Sequence, residues 1–161
     1  VWGTLIGLLR DGKPVLGMMA QPFTGERFAG DGKRAWYSGP GGENMMRTRR
    51  CPKISDASLF TTTPALFKGA DKTAYERVEA AVRMPRYGVD CYAYCMVAAG
   101  NADLVVEVGL QAYDVVALIP IMEGAGGRFT DWEGGPAANG GRVVAAGDPA
   151  LHDQVLAMLA G

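Results

Sequence analysis

The stretch Ala112–Gly127 reads AYDVVALIPIMEGAGG, and it decides more about the fold than any other part of the chain. Apolar residues run from Val115 to Met122 behind Asp114, a pattern that predicts a helix opening near Asp114. The glycines after Glu123 predict a helix C-terminus, because a phosphate-binding glycine loop would instead follow a strand and open a helix. We therefore expect a helix that ends in this glycine-rich segment.

Strands and helices are predicted on both sides of that helix. The upstream elements are a helix over Asp90–Ala99, stopped by Gly100, and a strand over Asp103–Val108, ended by Gly109. The downstream elements are strands over Arg128–Asp131 and Arg142–Ala146 and a closing helix over Leu151–Leu159. This alternation indicates an α/β fold with a mixed sheet covered by helices.

The first third of the chain predicts an antiparallel meander. Asp-Gly pairs at residues 11–12 and 31–32 separate apolar runs, which predicts two hairpins, Val1–Leu9 with Val15–Gln21 and Glu26–Gly30 with Lys33–Ser38. Val1–Leu9 is apolar on both faces and is therefore expected to be a buried strand. A loop at 39–42 and an irregular basic segment at 45–52 should follow, then a strand at 59–63 and a helix capped by Asp71 that ends before Pro85.

Composition and charge exclude several classes of function. The chain has 161 residues, 48% hydrophobic and 20% charged, with 16 basic and 17 acidic side chains in mixture, so neither nucleic acid nor an anionic membrane is an expected partner. No apolar run approaches the length of a membrane span, and no export signal is present. The three cysteines form no CxxC pair, which indicates reduced thiols and a cytoplasmic protein.

Several familiar catalytic arrangements do not fit the sequence. The chain has one histidine, His152, on the polar part of the last predicted helix, which argues against a Ser-His-Asp or Cys-His hydrolase. Cys91 and Cys95 have ligand-like spacing, but no further Cys or suitable His completes a zinc site, so buried thiols are expected. The arginines at 47, 49 and 50 either bind a phosphate or form a solvated surface.

Three acidic residues are the candidates for chemistry. Asp90, Glu107 and Asp114 each lie beside apolar or glycine-rich segments, and a buried carboxylate needs a partner such as Mg²⁺ or a polar substrate group. Each also has a structural interpretation: Asp114 and Asp90 as helix N-caps, and Glu107 as a solvent-facing charge on an edge strand.

Ala112–Gly127 resembles the second signature of the inositol monophosphatase superfamily, which reads Trp-Asp, an apolar helix and then Glu-Ala-Gly-Gly. Tyr113 replaces the usual Trp, and Gly124 is inserted after Glu123. The upstream order, with Gly88-Val89-Asp90 before a helix and Glu107 before the signature, is also similar, and the resemblance covers essentially the whole chain.

The resemblance implies a layered αβαβα sandwich of the sugar phosphatase type. It implies that Asp114 binds Mg²⁺, that Glu107, Asp90, Gly88 and Val89 contact the substrate, and that metal-activated water attacks a small phosphomonoester. The Glu and the Asp-Pro-x-Asp-Gly-Thr motif that supply the family's other metal ligands are not among these residues. Residues 1–161 are thus expected to be the C-terminal part of a single phosphatase domain without its N-terminal portion, with no confident catalytic residue of their own.

Within that superfamily, the run Asp90-Cys91-Tyr92-Ala93-Tyr94 is more similar to the histidinol-phosphate phosphatase branch. The implied reaction is hydrolysis of histidinol phosphate, a step of histidine biosynthesis, and a second carboxylate suits a cationic substrate. The alternatives are an inositol monophosphatase of broad specificity and, in another class, a non-catalytic binding or assembly module. Family members commonly form homodimers, for which the first hairpins could supply an interface.

Overall fold

The computed structural model describes residues 2–161, so Val1 of the predicted first strand lies outside the described residues. The chain forms two five-stranded sheets rather than one. The strands are β1 Thr4–Arg10, β2 Lys13–Gln21, β3 Glu26–Gly30, β4 Ala35–Gly39, β5 Gly42–Met45, β6 Ser58–Thr61, β7 Met84–Tyr87, β8 Leu104–Gln111, β9 Arg128–Asp131 and β10 Gly140–Ala146. The helices are α1 Gly69–Ala81, α2 Cys91–Ala98, α3 Ala112–Val115, α4 Leu118–Gly124 and α5 Pro149–Ala160, with two short 3-10 turns around β6.

The first sheet is the predicted antiparallel meander, in the order β1-β2-β3-β4-β5. The second sheet is mixed, in the order β7-β6-β8-β10-β9, and β6 runs parallel to both β7 and β8. Helices α2 and α4 lie between the two sheets, and α1 and α5 cover the other face of the second sheet. The described residues therefore form four of the five layers that the resemblance implies.

The approach of α4 to the first sheet depends on glycines whose side-chain positions are occupied by helix backbone. A Cβ added to Gly17 would lie 1.8 Å from the carbonyl oxygen of Ala117, and one added to Gly30 would lie 2.4 Å from that of Pro120. Real Cβ atoms do not approach other atoms so closely, so only glycine permits this packing distance. The two glycines therefore let α4 pack directly against β2 and β3 of the first sheet.

The prediction that β1 is buried is wrong. Ile6 and Leu8 are 58% and 51% exposed, and Leu16 of the neighbouring strand is also exposed. One face of the first sheet packs on α2 and α4, whereas no element among residues 2–161 covers the other face. Apolar residues on both sides of a strand lead to burial only where both faces are covered, and among residues 2–161 only one face of β1 is covered.

Five other features differ from the sequence expectation. The first long helix begins at Gly69 after Lys68, and Asp71 pairs with Arg142 instead of capping it. Pro85 lies inside β7, where an edge position spares the missing N–H. Strand β8 continues through Gly109 to Gln111. Strand β5 forms within residues 39–52, where a loop and an irregular basic segment were expected. The predicted helix after Asp114 is split into α3 and α4, which ends at Gly124 as the glycine pattern predicted.

No helix of residues 2–161 is both long and apolar enough to cross a membrane. The three cysteines are free thiols, and those of Cys51 and Cys95 are buried.

Candidate active site

Asp90, Glu107 and Asp114 line one cavity of about 340 Å³ between the two sheets. The cavity lies where β8 meets α3 and where α2 begins, so three separate segments of the chain supply the carboxylates. Its lining consists of Gly3, Leu5, Thr62, Asp90, Cys91, Tyr94, Glu107, Leu110, Asp114 and Leu118. Among the described residues, this lining holds three carboxylates and neither lysine nor arginine, so the cavity favours positively charged occupants.

Glu107 is buried and fully engaged by the end of the neighbouring strand. Its Oε1 accepts hydrogen bonds from the Thr62 backbone N–H at 2.6 Å and from the Thr62 hydroxyl at 2.9 Å. Its Oε2 accepts from the Thr61 hydroxyl at 3.1 Å. Burial raises the pKa of Glu107, the nearby Asp90 adds to the rise, and these hydrogen bonds oppose it. The expectation of a solvent-facing edge charge does not hold, because β8 lies in the centre of the second sheet.

Asp90 is joined to Glu107 through Thr62, whose hydroxyl also lies 3.3 Å from Asp90 Oδ1. Asp90 directly precedes α2 with a φ of 50°, a backbone conformation that is costly for a residue other than glycine. Its carboxylate engages Thr62 rather than the helix backbone, so the interpretation of Asp90 as a simple cap is not supported. Strain of this kind concentrates at functional sites.

Gly88 and Val89 hold the turn before Asp90 and are not among the residues that line the cavity. The Gly88 N–H bonds to the carbonyl oxygens of Thr61 and Thr62, at 3.2 and 3.0 Å, and its φ of 78° suits glycine. Val89 packs against the hydrophobic core between the sheets. The two residues therefore set the position of Asp90, and their predicted contact with substrate stays a prediction.

Asp114 is the third residue of α3, which Gln111 caps, so it is not an N-cap itself. Its Oδ2 accepts a hydrogen bond from the Gln111 backbone N–H at 2.7 Å, completing a reciprocal capping box. Because the carboxylate also lines the cavity, its other oxygen is the candidate ligand for a cation.

A divalent cation fits the donor chemistry of this cavity but not a complete ligand set. Carboxylate oxygens are the donors that Mg²⁺ prefers. Among residues 2–161, however, no three His, Cys, Asp or Glu side chains are grouped closely enough to hold a metal ion. Asp114 could thus contribute one ligand to a cation, and residues 2–161 supply no cluster of such side chains that would complete its coordination.

Thr62 is a polar cavity residue that the sequence did not single out, and Tyr94 was named only as part of the run that resembles one branch of the superfamily. Residues 59 and 60 of β6 pair in parallel with residues 104 and 105 of β8, which places Thr62 at the level of Glu107. Only knowledge that these strands are parallel neighbours would have identified it. Of the three arginines considered for phosphate binding, Arg49 is bound bidentately by Asp103, with N–O distances of 2.7 and 2.6 Å, and lines no part of the cavity.

The fold and the cavity define a class: a layered α/β protein with a carboxylate-lined pocket suited to a cation and a small ligand. The family model described as the inositol monophosphatase family matches residues 1–160, and the chain belongs to that family.

Two relatives are similar to this chain over nearly all of its length. The chain is 47% identical over 169 residues to the bifunctional phosphatase IMPL2, chloroplastic, of Arabidopsis thaliana, covering 99% of this chain and 48% of the relative. It is 32% identical over 170 residues to a histidinol-phosphatase of Mycobacterium tuberculosis, covering 99% of this chain and 62% of the relative. The chain thus spans about half to three-fifths of the length of these proteins.

Solved structures agree with the fold. An inositol monophosphatase from Zymomonas mobilis superposes with a TM-score of 0.91 at 40% identity, covering 99% of this chain and 62% of that one. Mycobacterium tuberculosis SuhB superposes with a TM-score of 0.83 at 28% identity, covering 98% and 63%. The layered arrangement of the two sheets is therefore that of this family.

Proposed function

We propose that the full protein containing this chain is a Mg²⁺-dependent phosphomonoesterase whose preferred substrate is histidinol phosphate. The observation that carries the proposal is the convergence of Asp90, Glu107 and Asp114 on one cavity without a neighbouring lysine or arginine in its described lining. The similarity to a histidinol-phosphatase over nearly the whole chain supports the choice of substrate.

When bound, Mg²⁺ would supply the activation of water and the neutralisation of charge on the phosphate. Asp114 would hold one position of the cation, and its capping bond to Gln111 keeps the carboxylate oriented. Glu107 and Asp90, linked through Thr62, receive the positively charged leaving group, since charge-assisted hydrogen bonds are stronger than neutral ones. The buried setting of Glu107 strengthens that interaction.

Broad-specificity inositol monophosphatase activity is the second candidate. It is favoured by the superposition on the Zymomonas mobilis inositol monophosphatase, which is closer in sequence to this chain than the histidinol-phosphatase is. A neutral polyol needs hydrogen-bond acceptors but no paired carboxylates, so the contribution of Asp90 separates the two candidates.

The test is phosphate release from histidinol phosphate and from inositol 1-phosphate by the full-length protein, with and without Mg²⁺. We expect Mg²⁺-dependent release with a higher kcat/KM for histidinol phosphate. Asp90→Asn should reduce kcat/KM for that substrate about 10-fold, the difference between a charged and a neutral hydrogen bond, and change inositol phosphate hydrolysis much less. A preference for inositol phosphate would favour the second candidate, and no release from either would favour a non-catalytic binding module.

Asp114→Asn tests the metal ligand without removing the helix cap. The side-chain oxygen of asparagine can still accept a hydrogen bond from the Gln111 N–H. In that orientation, the side-chain NH₂ group faces the cavity in place of an anionic oxygen. We expect loss of 100-fold or more in Mg²⁺-dependent release with an unchanged melting temperature, because the lost interaction is with a catalytic cation. Asp11→Asn in the first hairpin turn is the matched control, since Asp11 is exposed and asparagine tolerates its φ of 50°.

Homodimerisation and a cytoplasmic location complete the proposal. The uncovered face of the first sheet, with Ile6 and Leu8 exposed, supports an apolar contact, and the free thiols suit a reducing compartment. Light scattering on the full-length protein would give its oligomeric state.

A further inference from the structure

The hydroxyl of Tyr94 is buried and has no hydrogen-bond partner among residues 2–161. Tyr94 lies on α2 and is 4% exposed. Its ring stacks on Phe129 with the centroids 5.3 Å apart and an interplanar angle of 16°, which fixes the orientation of the side chain. Buried polar groups in native proteins almost always have a partner, so this exception requires an explanation.

Tyr94 lines the same cavity as the three carboxylates. Asp90, which directly precedes α2, lines this cavity as well. Burial raises the pKa of Tyr94, and the nearby Glu107, Asp114 and Cys91, all of them cavity residues, add to the rise. The hydroxyl is closed off from solvent, and it belongs to a side chain that lines the carboxylate cavity.

We propose that Tyr94 is a substrate-binding residue that determines specificity, through a hydrogen bond between its hydroxyl and a polar nitrogen or oxygen on the organic part of the phosphomonoester. This inference rests on the proposed function and assigns a contact to the leaving group. The phosphate is not the partner, because an anion beside three carboxylates is held by metal and not by a neutral hydroxyl. The bound leaving group supplies the missing hydrogen bond.

The proposal predicts opposite effects on the free and the bound protein. Tyr94→Phe keeps the ring stacked on Phe129 and removes a hydroxyl that is unpaired in the free protein. The variant should therefore melt about 2–4 °C higher without ligand. With substrate, one hydrogen bond is lost, so KM for the preferred substrate should rise about 5- to 10-fold.

The experiment uses the full-length protein, the Tyr94→Phe variant and a matched Tyr87→Phe control. The Tyr87 hydroxyl is on the surface and donates to Glu79 at 2.7 Å, so its loss should raise neither the melting temperature nor KM. Melting without ligand, KM for histidinol phosphate and for inositol 1-phosphate, and calorimetric binding of histidinol, inositol and inorganic phosphate with Mg²⁺ are measured for each protein. We expect weaker binding of the preferred alcohol by Tyr94→Phe and unchanged binding of inorganic phosphate.

Three results would overturn the proposal. If Tyr94→Phe lowers the melting temperature, the hydroxyl has a partner within the fold. If KM and the affinities for both alcohols are unchanged, the hydroxyl contacts a fixed water or nothing. If neither alcohol binds the wild-type protein, the cavity does not receive a leaving group.

Failure of the proposed phosphatase function looks different. In that case the wild-type protein releases no phosphate from either substrate, while the comparison of histidinol and inositol binding between wild type and Tyr94→Phe still decides the role of Tyr94.

Discussion

Substituting Glu107 by glutamine separates the charge of this side chain from its structural role. Glutamine keeps an oxygen that can accept from the Thr62 N–H and hydroxyl, and its amide group can donate to the Thr61 hydroxyl that now donates to Oε2. It also removes the cost of burying a charge, which is the main cause of the raised pKa of Glu107. We therefore expect Glu107→Gln to change the free energy of unfolding by less than about 1 kcal/mol.

Glu107→Ala should be different, because it removes every acceptor at this position. The Thr62 N–H and the two threonine hydroxyls lose their partner, although the adjoining cavity lets water replace part of the interaction. The cost of leaving such groups unpaired, together with the lost packing, is about 2–3 kcal/mol. Urea unfolding of the full-length protein, monitored for wild type and both variants, measures these differences.

The two variants should share a defect in substrate binding. Replacing a charge-assisted hydrogen bond to a cationic leaving group by a neutral one costs about 1–1.5 kcal/mol, so KM of Glu107→Gln for histidinol phosphate should rise about 5- to 15-fold. Glu79→Gln is the control, since Glu79 also accepts two hydroxyls, from Tyr75 and Tyr87, but is not a cavity residue. A wild-type KM for the stable Glu107→Gln protein would refute the charge contact, and equal destabilisation by glutamine and alanine would refute the hydrogen-bond argument.

Three further predictions concern the framework around the site. Asp103→Ala should destabilise the protein by about 3 kcal/mol in urea unfolding, because Arg49 and the Ser58 N–H and hydroxyl lose their buried acceptor. Arg49→Met should cost a comparable amount, because it leaves the fully buried carboxylate of Asp103 without its positively charged partner. Hydrogen bonds from Arg49 and from the Ser58 backbone hold the pKa of Asp103 below its usual value despite burial. The contribution of Asp103 to the free energy of unfolding should therefore be complete above about pH 4 and lost as the pH falls through the depressed pKa. Acid unfolding of Asp103→Asn should lack this pH-dependent contribution. Gly17→Ala should lower the free energy of unfolding by about 3 kcal/mol or prevent folding, because the added Cβ meets the Ala117 carbonyl. Gly41→Ala, whose Cβ makes only ordinary contacts, should be close to neutral. Similar melting temperatures for the two variants would contradict the packing argument.

Elements that depend on local chemistry could be predicted from the order of residues. The Asp-Gly pairs at residues 11–12 and 31–32 mark the turns of the β1–β2 and β3–β4 hairpins, because few residue pairs adopt the backbone angles of such turns. The glycines after Glu123 end α4 for a similar reason. The motif around Asp114 was long enough to identify the family, and Asp90, Glu107 and Asp114 were chosen because carboxylates beside apolar segments need partners.

How these elements pack together could not be predicted from local sequence. The exposure of β1 and the presence of Pro85 in β7 both depend on which strands and helices lie beside a strand. The residues near a strand in sequence do not reveal these neighbours. Thr62 became a site residue through the parallel pairing of β6 with β8, which aligns it with Glu107 across the sheet. The unpaired hydroxyl of Tyr94 is visible only when its surroundings are assembled, because hydrogen-bond satisfaction is a property of the packed molecule rather than of residue order.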